Sequence, residues 1–326
     1  MKKRDKDMLS KPVLTIAIPT YNRLDKISEQ VRLILPQLDE QVKLIVYDNC
    51  SKPSVAGCFS TDELMKFTIV RNRVNVGADA NIARTFENCE TKWLWTLSDD
   101  DLIKPDALKT VLDALKDNTE RAFICFAGSS TNVLPFETTC FNSLASYFKS
   151  KTVYSACFTM SCCIYNISIL NKNLLYYYDN LSSMVGTLIL VIKSMQENSH
   201  ASFYYSNLCV IDRFNDDVGW NYEKFIYRSV MFTYVFGGRE NVCEQNRLFL
   251  GHYNLNYYLI SLNRKSSKLS RSKRLKLFWF AIKYQGILNA IKYSRMDVFR
   301  TFISVLSDYH FTGAVIEFVR RIREKK

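Results

Sequence analysis

The stretch Trp93–Asp101 reads WLWTLSDDD, a short apolar run that stops abruptly in three carboxylates. An apolar segment of this length, bounded by polar turn residues, has the pattern of a buried strand. Trp93 and Trp95 lie two residues apart on it and are expected to pack in the core. Upstream, Val42–Tyr47 (VKLIVY) repeats the layout and stops at Asp48 in the turn DNCSKP, and Val13–Pro19 (VLTIAIP) and Phe67–Arg71 are two further strand candidates. Between the first two, Asn22 is placed to cap a helix through Leu24, Ile27, Val31, Ile34 and Leu35. NVGADANIARTFENC reads as a loop followed by a helix through Ile82, Phe86 and Cys89. Downstream, Pro105 suits the first turn of a helix through Leu108, Val111, Leu112 and Leu115, and Arg121–Ala127 (RAFICFA) closes the set. Strands and helices that alternate with short connections predict an α/β fold, a Rossmann-like and mostly parallel sheet with helices on both faces. In such sheets ligands bind beyond the carboxyl ends of the strands. Asp48 and Asp99–Asp101 fall at those ends.

Three adjacent carboxylates repel one another unless a cation neutralises them. Hard divalent ions take oxygen ligands, and Mg²⁺ commonly uses one or two carboxylates together with substrate phosphates. The triplet Asp99, Asp100 and Asp101 therefore reads as a metal–diphosphate site; its other reading is an acidic helix start favoured by the helix dipole. Asp48 has the position of a residue that hydrogen-bonds a base or a ribose, although turns are rich in Asp for purely local reasons. No GxxxxGK phosphate loop and no recognisable Ser–His–Asp nucleophile motif occurs, and His200, His252 and His310 share no metal-ligand spacing.

Taken in order, IAIPTYNR (Ile16–Arg23), LIVYDNCS (Leu44–Ser51), RNRVNVGADAN (Arg71–Asn81) and WLWTLSDDD resemble the nucleotide-sugar half of glycosyltransferase family 2, over about Val13 to Asp106. The resemblance implies a GT-A fold and a metal-dependent, inverting transfer from a nucleotide-sugar donor, with Mg²⁺ or Mn²⁺ as cofactor. It implies that Pro19, Thr20 and Tyr21 line the nucleotide pocket, that Asp48 contacts the base, and that Asn75 and Gly77 shape the donor site. Asp99 would lie against the donor, and Asp100 and Asp101 would hold the metal. The sequence departs from the family pattern at three places. Ser98 stands where the first acidic residue of the DXD region is usual, and Asn81-Ile82-Ala83 stands in place of Ala-Arg-Asn. No downstream acidic residue matches the expected general base. Asp179, Asp212, Asp216 and Asp217 are candidates by location, with Asp216 and Asp217 preferred because they sit in a polar loop. Trp220, in the same loop, is a candidate for stacking on a sugar.

The basic charge is concentrated at one end. The chain carries 44 Lys and Arg against 32 Asp and Glu, a net +12, and Gly251–Lys326 holds 16 of the former and 4 of the latter, which leaves the preceding residues neutral. Residues 237–326 read as a helical, basic extension, with 1–236 as the transferase domain, divided into a nucleotide-sugar half at 13–127 and an acceptor half at 128–236. A basic amphipathic helix with aromatics suits an anionic membrane surface, and the same charge can also be a solvated helix face. Nucleic acid is not the expected partner, because no recognised reader motif accompanies the charge. The ten cysteines include no CxxC pair and are expected to be small core residues. No apolar run reaches the ~20 residues of a membrane span. The expected setting is cytoplasmic, peripheral on the inner face of the cell membrane, with a lipid-linked glycan as acceptor. In size and layout the chain is similar to bacterial O-antigen and surface-polysaccharide transferases, including abequosyltransferases. The competing function class is a non-catalytic scaffold that keeps the fold and recruits partners through the basic extension.

Overall fold

The computed structural model describes residues 11–127, 139–141, 159–183, 186–197 and 202–213, and the isolated positions Ser272 and Lys276. The chain divides into two compact units, Met1–Val218 and Gly219–Lys326, and every element named below belongs to the first. In the second unit Ser272 and Lys276 are helical and exposed. The rest of the basic extension, Asp216, Asp217 and Trp220 lie outside the described residues.

Ten strands and seven α-helices are described. In chain order they are β1 (Leu14–Thr20), α1 (Leu24–Ile34), β2 (Val42–Asp48), α2 (Thr61–Leu64), β3 (Thr68–Arg71), α3 (Ala78–Glu87), β4 (Trp93–Thr96), β5 (Leu102–Ile103) and α4 (Ala107–Asp117). They continue with β6 (Phe123–Ala127), β7 (Thr139–Phe141), β8 (Cys163–Asn166), α5 (Ile167–Leu170), α6 (Leu174–Asp179), α7 (Gly186–Glu197), β9 (Phe203–Cys209) and β10 (Ile211–Arg213). Eight strands form one sheet in the order β3-β2-β1-β4-β8-β6-β9-β7. Pairing is parallel for β3-β2, β2-β1, β1-β4 and β6-β9, as strand–helix alternation predicts. β8 enters between β4 and β6 antiparallel to both, and β7 is antiparallel to β9. β10 pairs with β5 in a separate two-stranded ribbon.

The core follows from the periodicities. β1 is buried at every position except the partly exposed Pro19, as in a central strand covered on both faces. On α1 the residues Ile27, Val31 and Ile34 are fully buried, each contributing roughly 1.5–3 kcal/mol relative to exposure. Trp93 and Trp95 are core residues, at 2% and 0% exposure. Cys89, Cys125, Cys162 and Cys163 are buried, as their apolar surroundings in the sequence suggested.

The expected cap at Asn22 is corrected by the structure. Arg23 occupies the N-cap position of α1, and Asn22 adopts φ 53°, a left-handed conformation that Asn tolerates better than most residues. Its side-chain oxygen accepts from the Lys52 amide at 2.8 Å, and its own amide donates to Ser51 Oγ at 2.9 Å. Asn22 therefore ties the exit of β1 to the turn after β2 instead of satisfying the helix.

On the far side of α3, Phe86 meets Tyr165 and Tyr177 edge-on, with centroid separations of 4.9 and 5.6 Å. Gly186, at the start of α7, faces the Tyr177 ring so closely that an added Cβ would lie 2.0 Å from Tyr177 Cε2. Because Tyr177 is buried and held by Phe86, it has little room to yield. Gly186→Ala is therefore expected to destabilise the unit by about 1–3 kcal/mol, read as a lower urea midpoint at unchanged slope.

Candidate active site at the carboxyl ends of the central strands

Strand register assembles the site. Thr20 pairs with Asp48, and Asp48 pairs with Arg71, so the last residues of β1, β2 and β3 form a row across the sheet. β4 runs beside β1, and the Leu97 amide donates to Ala17 O at 3.0 Å. Ser98, Asp99 and Asp100 then continue past the strand end toward Thr20.

Asp48 is fully buried. Its Oδ1 accepts from the Ser51 amide at 2.8 Å and its Oδ2 is paired with Arg71 Nη1. Arg71 Nη2 donates to Ser51 O at 2.7 Å, closing the DNCS turn over the carboxylate. Arg71 keeps 37% of its side chain exposed, so the guanidinium is the accessible member of the pair.

Beside this pair lies a ladder of amides. Asn49 Nδ2 donates to Asn75 Oδ1 at 2.8 Å, and Asn49 Oδ1 accepts from the Val76 amide at 3.0 Å and from Asn72 Nδ2 at 2.9 Å. Asn72 also donates to Asn81 Oδ1 at 2.8 Å and accepts from Arg84. Asn81 Nδ2 reaches Tyr47 O at 2.9 Å. This ladder clamps the Asn75–Gly77 loop onto the end of β2. Gly77 takes φ +87° there, the left-handed region that favours glycine. Asn75 and Gly77 are themselves exposed.

The acidic triplet is resolved into three different environments. Asp99, 4% exposed, accepts from Thr20 Oγ1 at 2.6 Å through Oδ2 and from Arg23 Nη1 at 3.0 Å through Oδ1. Asp100 accepts from the same Arg23 nitrogen at 2.6 Å and from Ser98 Oγ at 2.5 Å. Asp101 turns elsewhere and accepts from Ser161 Oγ at 2.6 Å. Ser161 Oγ in turn accepts from the Ser98 amide at 3.0 Å, and Ser161 O accepts from Trp95 Nε1 at 2.8 Å. From α1, the buried Gln30 donates to Asp101 O at 2.7 Å. The segment is thus fixed from beneath by α1, β4 and the turn before β8, while Asp99 and Asp100 converge on one cation.

Burial pushes the Asp99 carboxyl above its ordinary range, with the Thr20 hydroxyl and the Arg23 charge pulling it back. A carboxyl that binds its proton more tightly when folded loses stability as pH rises from its unfolded value through its folded one. Asp99→Asn removes this penalty. The melting temperature of the variant, measured against wild type without divalent ions, is expected to gain steadily as pH rises from below about 4 toward neutrality.

Of the residues singled out in the sequence, Pro19 is partly exposed, Thr20 buried and Tyr21 exposed, all at the exit of β1. Thr20, Asp99 and Asp100 are brought together, Asp48 lies one strand away, and Asp101 has a partner of its own. Asp179 and Asp212 are exposed, at the end of α6 and on β10. Sequence reasoning missed Arg23, Arg71, Gln30 and Ser161. Arg71 carried a signal, because it ends β3 as Asp48 ends the neighbouring β2. Ser161 carried none.

Asp99 Oδ1 and Asp100 Oδ2 meet at a single point, and among the described residues no set of three His, Cys, Asp or Glu side chains gathers around a possible ion. Two adjacent carboxylate oxygens fit a hard divalent cation that completes its coordination with phosphate oxygens. A closed all-protein cage would not have this composition.

Comparison with known proteins agrees with this geometry. The family model described as Glycosyl transferase family 2 matches residues 15–176, about half of the chain. An uncharacterized glycosyltransferase of Haemophilus influenzae is 28% identical over 114 residues, covering 34% of this chain and 37% of the relative, so the match spans little more than a third of that protein's length. Among solved structures, S. aureus TarS 1-349 in complex with UDP-GlcNAc superposes with a TM-score of 0.60 at 12% identity, covering 90% of each chain. The mannosyltransferase PcManGT from Pyrobaculum calidifontis, in complex with GDP-Man and Mn²⁺, gives 0.53 at 12% identity, covering 91% of this chain and 86% of its own. These structural likenesses establish the shared fold. The chain is thus built on the GT-A fold, and its residues 15–176 match the glycosyl transferase family 2 model.

Proposed function

We propose that the protein transfers a sugar, with inversion, from a nucleotide-sugar donor to a lipid-linked glycan. The observation that carries the donor half is the convergence of Thr20, Arg23, Asp99 and Asp100 beside the Asp48–Arg71 pair, all at the carboxyl ends of adjacent strands. Arg71, the accessible member of the pair, offers donors to the edge of a base, and the buried Asp48 holds it in place. Pro19, Tyr21, Asn75 and Gly77 border the same ends and supply the walls of the nucleotide pocket. Asp100 with Asp99 would hold Mg²⁺ or Mn²⁺, which when bound neutralises charge on the departing nucleoside diphosphate. Asp101, bonded to Ser161, keeps the segment in place beneath them.

The acceptor hydroxyl needs a base within hydrogen-bond reach. Asp216 and Asp217 are proposed for that role. Arg213, the last residue of β10, pairs with Leu102, the residue after Asp101, so the chain leaves β10 beside the acidic segment only three residues before Asp216. The basic extension, residues 237–326, would hold the 1–236 domain against the anionic inner face of the cell membrane. That placement suits surface-polysaccharide synthesis of the O-antigen kind. Among the described residues no helix is long and apolar enough to cross a membrane.

The test is transfer itself. The purified protein would be incubated with radiolabelled nucleotide sugars and a lipid extract from bacterial membranes. One donor is expected to label the lipid fraction when Mg²⁺ or Mn²⁺ is present and not when EDTA replaces it. Label that never leaves the nucleotide, with folded protein and several lipid sources, contradicts the proposal.

A further inference from the structure

Arg23 carries an observation that the transfer reaction leaves unused. Its guanidinium, with 45% of the side chain exposed, places the single nitrogen Nη1 3.0 Å from Asp99 Oδ1 and 2.6 Å from Asp100 Oδ2. Those are the two oxygens on which a divalent ion would be held. The nitrogen and the ion cannot share the seat, because two cations so close repel.

The geometry points to Arg23 as a built-in counter-cation, which fills the Asp99–Asp100 seat while the donor is absent and yields it to a metal-bound diphosphate. The inference rests on the donor-site reading above and deepens it. Asp99 is almost completely buried, and a buried carboxylate left without a partner is costly, so an empty seat needs a resident charge. One guanidinium offsets only part of the charge of two carboxylates, whereas a divalent ion offsets it fully. The displaced guanidinium then meets phosphate oxygens, which its planar fork matches two at a time. Arg23 is placed to make that turn. It is the N-cap of α1, at the exit of β1, and much of its side chain is already in solvent.

Metal and diphosphate then bind with positive coupling. Metal alone must displace Arg23 and is weakened by the fraction of molecules whose seat is filled. The test compares wild type, Arg23→Gln and Asp100→Asn by electron paramagnetic resonance of Mn²⁺, first alone and then with inorganic pyrophosphate. Arg23→Gln is expected to bind Mn²⁺ alone about tenfold more tightly than wild type, and pyrophosphate at saturating Mn²⁺ about tenfold more weakly. Arg23→Met should behave alike and covers the case in which the glutamine amide itself bridges the carboxylates. A melting curve for each variant establishes that it is folded. If Asp100→Asn abolishes Mn²⁺ binding while neither Arg23 variant tightens it, the counter-cation role is overturned and the donor site stands. If wild type and both Arg23 variants bind no Mn²⁺, with or without pyrophosphate, the donor-site reading falls and this inference with it.

Discussion

Asp100→Asn is expected to lower the transfer rate by at least about a hundredfold while leaving the fold intact. Asparagine keeps the shape of the side chain and an oxygen for Ser98 Oγ or Arg23 Nη1, both of which bond Asp100 in the structure. What it loses is the charge that, with Asp99, holds a cation against the diphosphate. Removing one preorganised electrostatic stabiliser from an active site commonly costs about 10²–10³ in kcat. Because Asp100 also holds the metal on which donor binding depends, the loss should appear in kcat/KM at fixed Mn²⁺, and the urea midpoint should move little. Asp113→Asn is the matched control. Asp113 sits on the exposed face of α4, paired with Lys109 and Lys116, and its replacement should leave activity unchanged.

Asp48→Ala should damage both stability and nucleotide recognition. The carboxylate is wholly buried, and its loss leaves the Ser51 amide and the Arg71 guanidinium without their acceptor. Breaking a fully buried pair costs about 3–5 kcal/mol. Because Arg71 is partly in solvent, water can take up its charge, and about 2 kcal/mol is the expected loss. Nucleotide discrimination should fall further than stability does, since the freed Arg71 no longer presents a fixed edge to the base. Differential binding of UDP and GDP, compared at a temperature where the variant is fully folded, separates the two effects. An unchanged preference would place base reading elsewhere.

The sequence made the framework legible and left its joinery obscure. β1, β2 and β4 are short apolar runs, and α1, α3 and α4 carry apolar residues at helical spacing, so elements and order could be read with boundaries close to those observed. β8 could not be read this way. CIYN is a four-residue antiparallel insertion whose place is set by pairing with β4 and β6, a non-local property. The acidic positions were legible because three carboxylates at a strand end are chemically conspicuous. Their division of labour was not. Asp101 is drawn away from its neighbours by Ser161, 60 residues away, which lies beneath it. Arg23 was in view beside Thr20 and Tyr21, yet its role depends on a nitrogen reaching a segment 76 residues further on. Asn22 shows the limit of local rules. Its position before an apolar helix fits a cap, but the turn after β2 offers its side chain a better partner. Asp216 and Asp217, chosen for the polarity of their loop, lie outside the described residues.

The most direct test of the central claim is calorimetric titration of the intact protein with UDP-, GDP-, dTDP- and CDP-sugars, each with and without Mn²⁺. A donor site built from the Asp48–Arg71 pair and the Asp99–Asp100 seat predicts that one nucleotide binds, that it binds only with the metal, and that Asp100→Asn removes the heat. If no nucleotide binds folded protein under either condition, the site is not a donor site, and the fold serves instead as a non-catalytic scaffold.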